Sequence, residues 1–355
     1  QCAIIEIDHS ISKQEVFTMK VTLIGIDLAK NIFQICGVNQ SGKQVFNKAV
    51  KRNKLISQLI NYPDAKIAME ACGGSNYWGR QLLGLGFDVM LIPPIHVKPF
   101  VKGNKNDRND SFAITEAAKR PGLHCVTPRT LEQTDLIQIH RLRERLVGNR
   151  TSLINQLRGL LTEYGEVFPQ GKDKLLSNVP DLLEDGENQL TFSARELMKL
   201  IVEEWQELNL RINRLDKKLK LEAKSNDNAI RLMKIKGVAE KTSTAVIAHA
   251  GNGQAYKNGR HFSASLGLVP KEHSSGGKQS FGGITKRGNR YIRRLLIQGA
   301  WSVLRWAEKS NDRLSKWALK IASRRGKHKA AIAVANKLAR IIWSILFHKT
   351  EYRAG

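Results

Sequence analysis

Short apolar runs separated by turns dominate the first third of the chain. The runs that predict strands are VTLIGID (21–27), FQICGV (33–38), QVFNKAV (44–50), KIAME (66–70) and FDVMLI (87–92). The first three are joined by tight turns, which predicts an antiparallel meander. Helical spacing of apolar residues predicts helices over 52–61, around 77–85 and over 110–120. The first third is therefore expected to be an α/β domain.

The order β-β-β-α-β-α-β-α is that of the RNase H-like fold, and we assign this domain to residues 19–130. Residues 1–18 are expected to be a leader that is not native, because the first convincing strand begins directly after Met19. These 18 residues begin with Gln and are mixed in character, so they do not predict a signal peptide.

The middle of the chain, residues 131–225, carries apolar residues at heptad-like spacing. One stripe comprises Ile139, Leu142, Leu146, Leu153, Leu157 and Leu160, and a second comprises Ile201, Trp205, Leu208, Ile212, Leu215 and Leu219. A break rich in Gly, Pro and Asp (165–187) separates the two stripes. Together they predict a coiled-coil linker of two long antiparallel helices, which could also pair with another subunit. His140 and Arg143 have the HxxR spacing of tyrosine recombinases, but a solvated helix face is the favoured interpretation.

The remaining residues, 226–355, predict a mostly helical domain. The segment LMKIKGVAEKTSTAVIAHAG (232–251) has the pattern of a helix-hairpin-helix, in which a glycine turn lets backbone N–H groups reach a DNA phosphate. The predicted contacts are Gly237, Lys241 and Thr242. A helix hairpin without any DNA contact is the alternative.

Charge changes this picture more than composition does. The chain has 58 Lys and Arg against 32 Asp and Glu, a net charge of +26 and a pI near 10.1. Such an excess predicts a polyanionic partner, DNA or RNA, with a ribosomal or membrane-surface protein as the alternative. The four cysteines show no zinc or disulfide spacing, and the apolar run 341–347 is too short to span a membrane. A cytoplasmic protein fits these features.

Four carboxylates in the predicted α/β domain stand where a metal site is expected. Asp27 and Glu70 end the first and fourth strands, which are neighbours in this topology. Asp107 and Asp110 are spaced i, i+3 at a helix start and share one face. Each acid alone is more simply interpreted as a surface residue or a helix cap. Four convergent carboxylates instead predict bound Mg²⁺ or Mn²⁺, and two such ions can clamp a phosphodiester.

A second candidate centre lies in PKEHSSGG (270–277), where Ser275 precedes two glycines. Basic residues able to contact phosphates follow it: Lys286, Arg287, Arg290, Arg293 and Arg294. Serine in a glycine-rich loop is usually only turn chemistry, so these residues do not decide a catalytic role by themselves.

Seven motifs carry a family resemblance. GIDLAK, AMEACGG, KNDRND, IKGVAEKTS, LGLVP, SSGG and ITKRGNRYIRR occur in the order seen in the Piv/MooV-like transposases, the recombinases of insertion-sequence family one-hundred-and-ten. The resemblance runs from about Lys20 to near Phe347, and the loop around HSSGG is most similar to subgroup eleven-eleven. The leader, 1–18, has no counterpart in that pattern.

This resemblance implies a RuvC-like domain whose DEDD tetrad is Asp27, Glu70, Asp107 and Asp110. It also implies a coiled coil and a Tnp domain with a serine nucleophile, here Ser275 rather than Ser274. Family members act on donor and target DNA as tetramers, and a noncoding bridge or seeker RNA guides them. The implied setting is the prokaryotic cytoplasm, in association with the nucleoid.

The resulting hypothesis is metal-assisted DNA strand exchange through a covalent phosphoserine, in which the metal site of the DEDD domain activates the serine. One alternative is a structure-specific endonuclease, such as a Holliday-junction resolvase, that uses water. The other is a non-enzymatic DNA-binding protein of the helix-hairpin-helix type.

Overall fold

The structure, a computed structural model, describes residues 20–104, 106–169, 171–276 and 278–354. The predicted leader and Cys2 lie outside these residues. The chain divides into two compact units, the first ending at Thr130 and the second beginning at Leu131. Cys36, Cys72 and Cys125 are free thiols.

The amino-terminal unit is a mixed sheet with helices on both faces. Its strands are β1 (Val21–Asp27), β2 (Ile32–Asn39), β3 (Gln44–Lys51), β4 (Lys66–Glu70) and β5 (Val89–Ile92). Its α-helices are α1 (Leu55–Leu59), α2 (Ser75–Gly84), α3 (Pro94–Val97) and α4 (Asp107–Ala118), with 3₁₀ turns at Arg52–Lys54 and Lys98–Phe100.

The sheet order is β3-β2-β1-β4-β5, with β1–β2 and β2–β3 antiparallel and β1–β4 and β4–β5 parallel. This topology confirms the predicted RNase H-like order. The central strand β1 is buried on both faces, which explains its unbroken apolar run. Ile24 and Ile26 pack with Trp78 of α2 on one face, and Leu23 packs with Ala113 of α4 on the other.

The carboxy-terminal unit is mainly helical. Its helices are α5 (Leu131–Glu163), α6 (Lys172–Glu184), α7 (Phe192–Ser225), α8 (Asp227–Met233), α9 (Glu240–Ala250), α10 (Gly259–Ser265), α11 (Arg290–Trp306), α12 (Arg313–Arg325) and α13 (Lys327–His348). A 3₁₀ turn spans Ala307–Lys309, and two short strands, β6 (Pro270–Glu272) and β7 (Phe281–Ile284), form an antiparallel ribbon.

Helices α5 and α7 pack antiparallel, as the two apolar stripes predict. Arg150 donates a 2.6 Å hydrogen bond to Asn209, and Leu157 lies in one cluster with Met198, so early residues of one helix meet late residues of the other. The predicted break between them is wrong for its central part, because α6 forms there. Leu175 and Val179 of α6 are buried in that same cluster, and this packing outweighs the helix-breaking tendency of Pro180.

The last helix, α13, differs from the sequence expectation for membrane spans. Among the described helices it alone is long and apolar enough, by length and composition, to cross a membrane. Half of that apolar window is buried inside the unit, where Val334, Leu338 and Ile342 are fully enclosed. These are the properties of a core helix.

Candidate functional site

Asp27 and Glu70 lie side by side at one edge of the amino-terminal sheet. Strands β1 and β4 run parallel, and Ile26 is paired with Met69, so the next residue on each strand is one of the two acids. Neighbouring strands lie about 4.8 Å apart, which brings these carboxylates within reach of a common ligand. Both side chains are half-buried, as expected where a polar residue ends an enclosed strand.

Helix α4 directs its amino terminus towards the same edge. A Cβ on Gly25 of β1 would stand 2.6 Å from the Ser111 carbonyl oxygen. Helix α4 therefore crosses β1 at Gly25, because any larger residue would clash with the helix backbone. At the other end of the helix, the Lys119 side chain contacts Gly42 in the β2–β3 turn, which lies beside the start of β1. The first turn of α4 is therefore at the end of β1 that carries Asp27.

That first turn contains Asp107, which is exposed, and Asp110, which is half-buried. Asn106 caps it, because its side-chain oxygen accepts a 2.8 Å hydrogen bond from the Asn109 N–H. The helix is also fixed to the sheet through Asn47 of β3, whose side-chain amide donates to the Arg108 carbonyl oxygen at 3.0 Å. The sheet and the cap thus hold the start of α4 in place.

The Cys72 thiol is close enough to both Asp27 and Glu70 for each negative charge to affect its pKa. Burial raises the pKa of the Cys72 thiol, and the negative charges of Glu70 and then Asp27 raise it further. A thiol with a raised pKa stays protonated at neutral pH, so Cys72 is an inert neighbour of the acids.

The four carboxylates have the right chemistry for a divalent cation, but within the described part of the chain their arrangement does not form a complete metal site. Carboxylate oxygens are the donors that Mg²⁺ and Mn²⁺ prefer. However, among the residues described by the structure, no group of three or more His, Cys, Asp or Glu side chains is arranged to hold a metal ion. The closed four-carboxylate cage expected from sequence is therefore not formed by the described protein atoms alone.

A cleft of about 580 Å³ opens beside these strand ends. It is lined by residues at the start of β2, the end of β3 and the start of α2, among them Lys51, Arg52 and Tyr77. The Arg52 guanidinium lies 5.2 Å from the centroid of the Trp78 ring, and the buried Trp78 Nε1 has no hydrogen-bond partner among the described residues. Sequence reasoning missed this cleft, although the basic run KRNK directly after the third strand was a signal for it.

The second candidate centre is the ribbon of β6 and β7. Ser275 is exposed near the tip of its loop, and its carbonyl oxygen accepts a 3.1 Å hydrogen bond from the Lys278 N–H. Gly276 follows with φ = 56°, a conformation that favours glycine. The neighbouring Ser274 hydroxyl is instead engaged, since it donates to Glu272 at 2.8 Å. Gly277 lies outside the described residues.

The two ends of this ribbon leave the helical core at one point. A Cβ on Gly267 would stand 2.2 Å from the Arg287 carbonyl oxygen, and one on Gly288 would stand 1.8 Å from the Ser265 carbonyl oxygen. Both glycines also have positive φ, 69° and 90°. The LGLVP and KRGN motifs therefore share a backbone crossing that only glycine allows.

Two family models match the chain over these regions. A DEDD transposase model for IS110 elements matches residues 24–166, and a model described as transposase IS116/IS110/IS902 family matches residues 229–315. The transposase for insertion sequence element IS1111A of Coxiella burnetii is 40% identical over 347 residues, which cover 98% of this chain and 95% of that protein. The chain belongs to the IS116/IS110/IS902 family of transposases.

Two further relatives agree with this family. A probable family 20 transposase of Pseudomonas aeruginosa is 39% identical over 95% of this chain and 100% of its own length. The transposase for insertion sequence element IS1328 of Yersinia enterocolitica is 37% identical over 94% and 98%, respectively. The DEDD transposase match supports the RNase H-like fold of the amino-terminal unit, and it covers Asp27, Glu70, Asp107 and Asp110.

The basic residues after the ribbon of this transposase fall into two groups. Lys286, Arg287 and Arg290 are exposed. Arg293, predicted to contact nucleic acid, is buried, and its guanidinium donates to the Leu266 carbonyl oxygen at 2.8 Å. It supports the core, and the prediction of an accessible cation at that position is wrong.

Arg294 is exposed but paired. Its guanidinium donates to Glu144 at 2.8 Å and lies 5.5 Å from the centroid of the Tyr291 ring. A phosphate that binds Arg294 must compete with this carboxylate.

The predicted helix-hairpin-helix is a real pair of helices, α8 and α9, that turn at Gly237 with φ = 84°. A Cβ on Gly237 would meet the Gly299 carbonyl oxygen at 2.6 Å, so this glycine also allows the turn to pack on α11. Thr242 is buried, and the Lys241 ammonium donates to Asp216 at 3.1 Å. The prediction of Thr242 as a DNA contact needs correction, because its side chain lies in the core.

The HxxR pair also differs from its sequence interpretation. His140 is 4% exposed, and its ring nitrogens lie 2.9 Å from the Tyr291 hydroxyl and 3.0 Å from the Thr244 hydroxyl. Burial lowers the pKa of His140 to about 4, and the positive charge of Arg143 contributes. Arg143 pairs with Asp216. The predicted solvated face is therefore a buried polar contact that joins α5, α9 and α11.

Proposed function

We propose that this insertion-sequence transposase cuts and rejoins DNA strands through a covalent phosphoserine bond at Ser275, assisted by a divalent cation at Asp27, Glu70, Asp107 and Asp110. The paired strand ends carry this proposal: Asp27 and Glu70 lie side by side in a fold that matches a DEDD transposase family. The serine step rests on the motif resemblance and on the exposure of Ser275.

The carboxylates fit a cation that binds together with DNA. Mg²⁺ is commonly held by one or two carboxylates plus substrate phosphates and water. Asp27 and Glu70 would supply the protein ligands, with Asp107 and Asp110 on the adjacent helix start, and phosphate oxygens would complete the site. A bound cation would neutralise charge on the phosphate that is attacked.

The chemistry of the serine step conserves a phosphodiester. The Ser275 Oγ attacks phosphorus, its proton passes to a base, and the bond between phosphorus and the leaving deoxyribose oxygen breaks while that oxygen gains a proton. Attack by a hydroxyl of another strand on the phosphoserine reverses these changes and joins the strands. No external energy source is needed, because each bond that breaks is replaced by one of the same kind.

Exposed cations support DNA binding in the carboxy-terminal unit. Lys286, Arg287 and Arg290 stand near the ribbon, and the turn at Gly237 is partly exposed. Arg294 and Lys241 could join them by exchanging Glu144 and Asp216 for phosphates.

Several finer parts of the proposal rest on the motif resemblance alone. These are the Piv/MooV-like assignment, the noncoding bridge or seeker RNA and the dimer of dimers. The pairing of subunits through the coiled coil rests also on the heptad-like apolar stripes. A cytoplasmic enzyme associated with the nucleoid follows from action on bacterial DNA.

The test is a covalent adduct on a denaturing gel. The full chain is incubated with Mg²⁺, the candidate guide RNA and labelled DNA that contains the end of the element. We expect a protein–DNA adduct with the wild type and with Ser274→Ala, and none with Ser275→Ala. Chelation of the cation by EDTA should abolish the adduct.

The variants also separate the alternatives. An adduct that persists in Ser275→Ala and is lost in Ser274→Ala would move the nucleophile by one residue. Strand cleavage without an adduct in both variants and in the wild type would identify water as the nucleophile and overturn the serine proposal.

A further inference from the structure

Helices α12 and α13 form the most one-sidedly charged part of the described chain. Residues 313–348 contain nine Lys and Arg and no Asp or Glu. In the described part of the protein, none of these nine side chains forms an ion pair with a carboxylate. Cations elsewhere in this unit do pair, as Lys236 does with Asp312 at 2.6 Å. The unpaired charge predicts a polyanionic ligand at this surface.

Two adjacent clefts follow one face of α13. The first, of about 520 Å³, is lined by residues that include Trp317, Lys337 and Arg340. The second, of about 440 Å³, is lined by residues that include Arg260 and Trp343, and it shares Lys337 and Arg340 with the first. We call the two together the α13 groove.

Aromatic rings stand beside the shared cations. The Lys337 ammonium lies 4.2 Å from the centroid of the Trp317 ring. Trp343 is held in place because its Nε1 donates to the Gly253 carbonyl oxygen at 3.0 Å, and it stacks on the exposed Phe347 with ring centroids 4.9 Å apart. Fixed aromatic rings alternating with cations are typical of sites that hold unpaired bases and their phosphates.

Crowding of like charges adds to the case. Burial lowers the pKa of Lys337, and the nearby charges of Arg340 and Arg313 lower it further. An anionic ligand would relieve this repulsion.

The groove reaches the ribbon that carries Ser275. Pro270, the first residue of β6, and Ile284, the last residue of β7, line the first cleft. Asn336 of α13 fixes this end, because its side-chain amide donates to the Leu268 carbonyl oxygen at 3.1 Å and to the Ser263 hydroxyl at 2.9 Å. A strand in the groove would run towards the base of the ribbon.

We propose that the α13 groove binds a single-stranded segment of nucleic acid, with bases beside Trp317 and Trp343 and phosphates on Lys337 and Arg340. This site is separate from the residues assigned to the serine step, and it does not depend on that chemistry. An extrahelical DNA strand and a single-stranded RNA segment present the same bases and phosphates to it.

The test measures binding to the full chain in EDTA, where the proposed cleavage is blocked. The probes are fluorescent single-stranded DNA of mixed sequence, about 15 nucleotides long, the RNA of the same sequence, and the corresponding DNA duplex. We expect a single strand, as DNA or RNA, to bind more tightly than the duplex and to quench tryptophan fluorescence. The preferred single strand identifies the source of the ligand.

Matched variants locate the site. Lys337→Gln with Arg340→Gln should weaken single-strand binding about tenfold or more. The slope of log affinity against log salt concentration should become shallower by about 1.4, because each lost phosphate contact accounts for about 0.7. Lys320→Gln with Arg324→Gln removes the same charge from exposed positions of α12 that line neither cleft, and it should change affinity less than about twofold.

Tighter binding of the duplex, or equal weakening by the two double variants, would overturn the proposal. Arg340→Gln alone serves if the first double variant fails to fold, because Arg340 is exposed. The affinity of Ser275→Ala for the single strand is measured in EDTA in parallel, and this separates the two proposals. If this variant forms no adduct in Mg²⁺ but binds the single strand as the wild type does, the change concerns only the serine step.

Discussion

The two candidate centres of this transposase are built in opposite ways. Asp27 and Glu70 are half-buried at the ends of paired strands, beneath a helix that crosses β1 at Gly25 in van der Waals contact. Ser275 lies on a two-stranded ribbon whose residues are almost all exposed. The difference teaches that the carboxylates are positioned by the fold itself, whereas the described neighbours of Ser275 leave its side chain exposed.

The largest effect that tests this contrast is expected from Asp27→Asn. The substitution preserves shape and removes a charge that would hold the cation, so strand cleavage should fall by more than about 100-fold, beyond what loss of a supporting contact costs. Cleavage rates on labelled DNA in Mg²⁺ measure it.

Asp88→Asn is the matched control, because Asp88 is an exposed acid that precedes β5 at the opposite edge of the same sheet. It should retain cleavage. Equal activity in Asp27→Asn and the wild type would remove Asp27 from the site.

The next effect concerns packing rather than chemistry. Gly25→Ala places a methyl group 2.6 Å from the Ser111 carbonyl oxygen and from Thr115, and it should destabilise the amino-terminal unit by about 1–3 kcal/mol and displace α4. Gly283→Ala in the ribbon meets no atom within 4 Å and should change stability by less than about 0.5 kcal/mol.

Urea unfolding followed by circular dichroism compares the two variants. If both substitutions prove equally harmless, the sheet edge is no more rigid than the ribbon, and the contrast fails.

A third effect, of similar size, tests whether the carboxy-terminal unit encloses polar groups away from the ribbon. The pKa of His140 is lowered from 6.5 to about 4 by its burial, so the unfolded chain takes up this proton at a higher pH than the folded chain does. Neutral, buried His140 therefore contributes to the free energy of unfolding, and this contribution is fully present above pH 6.5. It is lost as the pH falls towards 4, by about 1–3 kcal/mol.

Urea unfolding at a series of pH values measures this loss. His140→Gln should flatten the dependence over that range, whereas His348→Gln, which alters an exposed histidine, should leave it unchanged. A wild-type dependence that survives in His140→Gln would assign it to other groups.

The amino-terminal fold could be read from sequence because its signals are local. An apolar run such as VTLIGI that ends in Asp27 indicates both a buried strand and its boundary, and strand order then follows from a familiar topology. The same logic placed Glu70 beside Asp27. Sequence could not show how far Asp107 stands from them, since that depends on how α4 packs.

The helical unit was harder, because helical periodicity shows which face is buried and not what covers it. Thr242 was predicted to contact DNA at the helix-hairpin-helix turn and Arg293 to contact phosphates after the serine loop, yet both are enclosed by neighbouring helices. His140 is satisfied by Tyr291 and Thr244, partners more than 100 residues away. Such long-range hydrogen bonds leave no mark in local spacing.

The crossing of Gly267 and Gly288 has a consequence for how this protein can change over time. Because both ends of the ribbon are fixed at one place, residues between them can be added or removed without altering the separation of α10 and α11. Loop closure depends only weakly on loop length. Length variation among relatives should therefore be tolerated within the ribbon outside the SSGG motif, while the two glycines stay unchanged.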